Sequence, residues 1–258
     1  ISVSAFYILK KRHLDFAEAS LKIALVLALF ASYFQLFTGH RSAMVVSEYQ
    51  PEKLAAMEAH FDSLAPAPLH LFGWVNEDKQ EVKFGVAVPG LLSYLISGDT
   101  QHKVKGLNHF PENMTPPVNI VFQSYHLMVA IGMFLIFIST LGAFLWWRKK
   151  LFDHKWLLWI FVFSVLGPQI ANQVGWITAE VGRQPWIVYG LLKTSEALSK
   201  TVQAHQIVFS LILFAVIYLF LFILFIYLLN EKIQHGPDEP ETIASEYETQ
   251  KLLFEKQK

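Results

Sequence analysis

Cysteine is absent from the 258 residues, which excludes disulfides, thiolate metal sites and thiol catalysis. Redox chemistry in such a chain needs a cofactor held by His, Met or carboxylate. Charge is also scarce. Charged residues make up 16% against 53% hydrophobic, and the formal net charge is zero, so nothing points to nucleic acid or another polyanion. The charges fall in short connectors between long apolar runs, whereas a soluble domain of this length spreads them along amphipathic elements. No basic stretch precedes a short apolar core with a small-residue cleavage site, so no signal peptide is read at the start. Residues 1–9 resemble the last turns of an apolar helix begun upstream, and the expectation is a truncated chain or one half of a split protein.

A bilayer core needs roughly 20 apolar residues in a helix. Four segments qualify, at about 21–38, 119–147, 156–176 and 203–230. The third contains Gly167-Pro168 followed by Gln169, Asn172 and Gln173. Neighbouring helices or water can satisfy the backbone groups such a break frees, and the polar residues should face a bundle interior. Basic residues cluster at Lys10–His13 and again at Arg148–Lys155. The positive-inside rule puts both on the cytoplasmic side, with 39–118 and 177–202 outside and the C-terminus cytoplasmic. The predicted fold class is therefore all-α: an integral membrane helical bundle of four full transmembrane helices plus the end of an upstream one, with a long outer loop.

Within that loop, residues 50–63 read as a short helix, since Pro51 suits a first helical position and Ala and Leu are strong formers. Residues 111–118 form a turn-rich lead into the next span. The acidic tail 236–258 reads as a solvated extension with a weak helix near its end. No internal repeat is visible.

The most informative stretch runs from Gly175 to Trp186, GWITAEVGRQPW, where the third span meets the outer surface. Glu180 and Arg183 are three apart, so they share a helical face and can pair or straddle a charged ligand. Trp176 and Trp186 flank them. The plainer reading is an interfacial anchor with a structural ion pair, because Trp favours membrane interfaces for its amphipathic ring alone. Against it, charge at membrane depth is costly and functional by default.

This segment resembles the signature of subunit I of cytochrome bd-type quinol oxidases, with Gly182-Arg183-Gln184-Pro185-Trp186 its most specific part. Two further matches follow the family's order. Residues 53–58 (KLAAME) resemble the start of its quinol-site loop, and 125–132 (YHLMVAIG) resemble the span supplying a Met ligand to the low-spin haem. The resemblance covers nearly the whole chain apart from the tail and implies a C-terminal half of the subunit. The loop length is similar to the short-loop class, which includes cyanide-insensitive forms. Accordingly 1–38 would hold the upstream helix end, a cytoplasmic turn and the first full span. Residues 39–118 would be the outer quinol-site loop, 119–230 a three-span haem-binding bundle and 231–258 a cytoplasmic tail.

The resemblance also implies roles. Met128 would be an axial ligand of the low-spin haem b, about nine residues into its span and so roughly 13 Å below the outer surface. A Met/His pair raises a haem's potential, as an acceptor of quinol electrons requires. Alone, a Met on an apolar helix is usually packing. Glu180 would be the carboxylate at the high-spin haem b, paired with haem d or a further haem b. Trp176 would lie between haems, and Arg183 would neutralise propionates with its forked guanidinium. Lys53 and Glu58 would serve quinol oxidation, Glu58 as acceptor of a quinol proton or hydrogen bond. On an ordinary surface helix both would simply be solvated. Many members carry Arg two residues before the Met, where this chain has His126. His126 would approach a propionate or tune the haem without ligating it. The other His residues have no metal-binding spacing.

The implied function is oxidation of quinol at the outer face, electron transfer through haems b, and reduction of dioxygen to water with a proton gradient. The membrane would be a bacterial or archaeal cytoplasmic one. Implied partners are a second large subunit, small single-span subunits and the upstream half of subunit I if the protein is split, together with quinol and dioxygen. The upstream half carries the family's haem-ligating His residues, so the isolated segment should bind haem poorly and be inactive. Two other readings stay open: a non-catalytic or divergent assembly subunit of a redox complex, and a transporter lined by Gln169, Asn172, Gln173 and Glu180, against which the Gly-Arg-Gln-Pro-Trp run argues.

Overall fold

A computed structural model describes residues 1–199 and 201–237. Helix α1 (Ser2–Lys10) leads through a tight turn into α2 (Leu14–Tyr49), followed by short α3 (Pro51–Met57). Next come strands β1 (Leu69–Asn76) and β2 (Glu81–Val88), and helices α4 (Leu91–Ser97) and α5 (Val118–Trp147). The chain continues through α6 (Lys155–Phe163), α7 (Leu166–Val181), strands β3 (Trp186–Val188) and β4 (Leu192–Lys193), and α8 (Ala204–His235). Among the described residues, four helical stretches are long and apolar enough to cross a membrane: α2, α5, α6 with α7, and α8. The all-α membrane bundle read from the sequence is the architecture found. Most of the acidic tail, including its expected weak helix, lies outside the described residues.

The third span is helical on both sides of a break at Ser164–Val165. Pro168 has no N–H, and its ring would collide with the carbonyl four residues earlier, that of Ser164. That carbonyl instead accepts a tighter bond from the Gly167 N–H at 3.1 Å. Polar helix sides are satisfied across the bundle. Ser32 and Ser139 hydroxyls meet at 3.3 Å between α2 and α5, and Tyr33 and Thr140 at 3.2 Å. Bare backbone at Gly142 lets α5 approach its neighbours, for a Cβ there would lie 2.7 Å from the Phe161 ring and 3.0 Å from Leu25.

One core, around Leu21, Leu25, Ile138, Leu157 and Phe161, binds α1, α2, α5 and α6 at the end carrying both basic turns. The Lys22 ammonium sits 5.4 Å from the Phe152 ring there, and the Tyr7 hydroxyl and Arg12 guanidinium cap α8 through the Ile233 and Gln234 carbonyls. The two basic clusters thus share one end of the bundle, as the sequence required.

A second core, around Ala56, Met57, Phe61, Val75, Val121 and Phe122, seats the long loop on the opposite end. The loop is ordered differently from the expectation. Only 51–57 of the anticipated 50–63 helix forms, and the antiparallel β1–β2 hairpin accounts for a stretch in which the sequence reading placed no element.

Candidate functional site

At the loop end, α3 lies against the last turn of α7. Pro51 starts α3 with a residue that has no N–H to leave unpaired. Two residues on, Lys53 stretches across Gly182, where a Cβ would meet its Cε at 3.2 Å and its Cγ at 3.3 Å. The Lys53 ammonium donates to the Ala179 carbonyl at 3.2 Å. A cation at the carbonyl end of a helix is favourably placed. Burial pushes the Lys53 pKa down, the Arg183 charge pushes the same way, and Glu180 opposes both.

Glu180 and Arg183 pair with each other, and both are more than a third exposed. An exposed pair of this kind contributes only about 0–1 kcal/mol. The pairing left open by their spacing is therefore the arrangement present, and Glu180 and Lys53 enter the same electrostatic neighbourhood. Trp176 projects its ring outward at 64% exposure.

Between α3, the Met114–Pro116 segment and residues 182–189 runs a cleft of about 150 Å³. Its lining includes Lys53, Arg183 and Trp186 together with two residues the sequence reading passed over, Glu52 and Tyr189. Glu52 is only 8% exposed, and the Tyr189 hydroxyl bonds its two carboxyl oxygens at 2.8 and 2.6 Å. Burial, then the Glu52 carboxyl, holds the Tyr189 phenol up at about 12. The signals were present, in a Glu adjoining Lys53 and a Tyr three residues beyond Trp186, but their meeting joins positions 137 apart.

Glu58 is elsewhere. It ends α3, five residues and more than a full turn from Lys53, and lies 2% exposed in the interior beneath the hairpin. Lys53 and Glu58 therefore do not face one cleft. Burial lifts the Glu58 carboxyl to about 8, against a lowering hydrogen bond from Tyr125, and its Oε2 has no partner. His60 beside it is 3% exposed with Nε2 unpartnered, and burial lowers its pKa. The His70 imidazole bonds the Glu58 carbonyl at 3.1 Å, and burial lowers it too.

His126 sits between α5 and the hairpin. Its Nδ1 lies 2.9 Å from the Phe122 carbonyl and its Nε2 2.7 Å from the His70 carbonyl on β1. A neutral imidazole has one N–H and so donates to one of these carbonyls. Its face stacks on Phe122 at 3.9 Å.

Met128, two residues on, is half-buried and turned to α7: a Cβ on Gly175 would lie 2.8 Å from its sulfur. The two helices are joined one turn toward the loop end by the Thr178 hydroxyl donating to Ser124 at 2.9 Å. A thioether on a membrane helix near an outward-facing indole is a soft donor of the kind haem iron takes, and Arg183, now paired with Glu180, could turn to haem carboxylates. Among the described residues no three His, Asp or Glu side chains gather as a metal site.

The spans and this loop-end site define a multi-pass membrane protein. The family model described as cytochrome bd terminal oxidase subunit I matches residues 1–237, and the chain belongs to that family. It is 35% identical over 246 residues to the cytochrome bd ubiquinol oxidase subunit 1 of Bacillus subtilis (strain 168), covering 92% of this chain and 53% of that protein. Against the cytochrome bd-II ubiquinol oxidase subunit 1 of Escherichia coli (strain K12) it is 27% identical over 316 residues, covering 97% and 61%. The solved structure of the bd oxidase from Geobacillus thermodenitrificans superposes with a TM-score of 0.81 at 33% identity, covering 92% of this chain and 54% of that one. The chain thus spans about half the length of the Bacillus relative and of the solved chain.

Proposed function

We propose that this chain is the C-terminal part of a terminal quinol oxidase subunit, oxidising quinol at the outer face of the membrane. The observation that carries the reading is the docking of Lys53, from the quinol-loop motif, across Gly182 of the family signature. That Lys53 and Gly182 line one cleft supports the reading. Residues 39–118 then lie outside, 119–230 form the haem-binding bundle, and the basic turns and C-terminus face the cytoplasm. A second large subunit and small single-span subunits complete the assembly.

Haem, when bound, supplies one-electron chemistry toward dioxygen, and b-type haems with haem d or a further haem b fit the family. Met128 would hold the low-spin group through its sulfur, with Trp176 against a ring face. Arg183 would meet propionates on release from Glu180, and Glu180 would attend the high-spin group. Lys53 orients a quinol oxygen as a donor. Glu58, buried outside this cleft and kept protonated near neutrality, would take up a quinol proton only after losing its own and through an intervening carrier.

The test is a reduced-minus-oxidised spectrum of the assembled oxidase with and without Met128→Ala, joined to quinol-driven oxygen uptake by Lys53→Ala. Loss of the low-spin b signal in the first and at least tenfold slower turnover in the second are expected. Unchanged spectrum and unchanged turnover together would reject the reading.

A further inference from the structure

The carboxyl group that faces the cleft is Glu52, and neither the family signature nor the quinol-loop motif assigns it a role. Its surroundings are specific. The group is buried, it lines the cavity, and a single phenol hydroxyl serves both of its oxygens. One hydroxyl has one proton to donate, whereas a carboxylate offers about four lone-pair positions. Acceptor capacity therefore remains on Glu52 inside a cleft whose two cations have other engagements: Lys53 with a helix carbonyl, and Arg183 with Glu180.

The remaining walls combine the flat or apolar Trp186, Pro116 and Ile187 with the amides of Gln50 and Gln184, and the Trp186 indole N–H has no partner. A cavity of about 150 Å³ holds one benzene-sized ring. It is smaller than the roughly 300–1,000 Å³ of sites that enclose a whole ligand. Such a shape fits a ring held at its head with any tail outside. The polar demand is for a hydroxyl donor, because a carboxylate can accept a hydrogen bond and has none to give. A hydroquinone is a ring that donates through oxygen.

We propose that Glu52, braced by Tyr189, accepts a hydrogen bond from a quinol hydroxyl and so favours the reduced over the oxidised form of the substrate in this cleft. The inference rests on the proposed quinol-oxidising function and names the residue that discriminates substrate from product. Tyr189 acts through Glu52. Its phenol stays protonated across the working pH range and holds the carboxyl in one orientation while the Lys53 side of the cleft takes the other face of the ring. Quinone, with two carbonyl acceptors, gains nothing from Glu52, so oxidation itself weakens the hold and product leaves.

The measurement uses membranes carrying the assembled oxidase, with Glu52→Gln and Tyr189→Phe. The KM for a short-chain quinol is followed by oxygen uptake, and the inhibition constant of the matching quinone is measured in the same preparations. Glu52→Gln is expected to raise the quinol KM about tenfold, the scale of a hydrogen bond to a charged group, while quinone inhibits as well as before or better, since an amide N–H can donate to its carbonyl. Tyr189→Phe is expected to raise the quinol KM several-fold with the same split. A quinol KM within twofold of wild type in both variants would overturn the proposal, as would quinol and quinone constants rising together, the mark of a cleft that has merely lost its shape. Should Glu52→Gln lose its haem bands, the split in Tyr189→Phe decides. If wild-type membranes oxidise quinol and Lys53→Ala slows them while the 52 and 189 variants behave as wild type, this inference alone fails. If wild-type membranes do not oxidise quinol, the proposed function fails and this inference goes with it.

Discussion

The sulfur of Met128 occupies space that only a glycine at 175 leaves free, since a Cβ there would stand 2.8 Å from it. The contact joins α5 to α7 in the part of the chain where the family signature begins. A flexible thioether can swing away from an added methyl group more easily than two packed backbones can separate.

Gly175→Ala is therefore expected to leave the bundle folded and to move the sulfur. Reduced-minus-oxidised spectra of the assembled oxidase should show the low-spin b band shifted or diminished, with the melting temperature changed by no more than a few degrees. A wild-type spectrum would mean that Met128 does not reach iron from this position.

Gly182→Ala should act on the other side of the site. Its Cβ would meet the Thr178 carbonyl at 2.4 Å, and the Lys53 side chain would have to lift. Overpacking of this kind costs about 1–3 kcal/mol. The expected readout is faster proteolysis between α3 and α4 and a several-fold fall in quinol turnover. Lys53→Ala should lose at least tenfold in turnover without the increase in cleavage.

The pH dependence of the loop follows from Glu58. Its folded pKa, about 8, stands above the ordinary 4.5, so the folded state binds the extra proton between those values. Stability contributed by the neutral buried carboxyl is thus full below about pH 4.5 and declines as pH rises toward 8. Glu58→Gln removes that titration. Thermal unfolding of the loop should lose its decline between pH 5 and 8 in the variant. A wild-type loop equally stable at both pH values would show that Glu58 is not held neutral. As a proton acceptor, Glu58 should also make quinol turnover climb as pH approaches 8, and the climb should vanish in Glu58→Gln.

His126→Phe keeps a ring on Phe122 but removes the imidazole N–H, leaving the His70 carbonyl without this partner. An unsatisfied buried acceptor costs about 1–3 kcal/mol. Hydrogen exchange in β1 should accelerate at least fivefold, with haem spectra unaltered. Altered spectra with slow exchange would return His126 to the cofactor.

The spans were legible because lipid demands unbroken apolar helices, and the Gly167-Pro168 break announced itself by its chemistry. Their ends were less so. The first span read as 21–38, yet α2 runs from Leu14 to Tyr49, because residues such as Gly39, His40, Arg41 and Ser42 are too polar for a bilayer while remaining compatible with a helix. The hairpin carried a usable signal, with Val82, Val86 and Val88 in alternation after Asn76-Glu77-Asp78-Lys79, although Gly73 and Gly85 blur it. In the site, resemblance to the family's motifs singled out Lys53, Glu180 and Arg183 but could not say that they share one neighbourhood. The Lys53 bond to the Ala179 carbonyl spans 126 residues, and Lys53 and Glu58, neighbours in the motif, are parted by the turn of a short helix. Glu52 and Tyr189 were invisible for the same reason. Local pattern reports which face a residue takes and is silent about what arrives from elsewhere in the chain.

Helix α2 holds 36 residues without a break, about 54 Å at 1.5 Å per residue, against roughly 30 Å of hydrocarbon. It ends one residue before α3 begins. The membrane and the cleft are accordingly the two ends of a single stiff lever: a thinner or thicker bilayer that tilts this rod swings Glu52 and Lys53 with it, so lipid chain length becomes a dial on how well the head of a substrate seats.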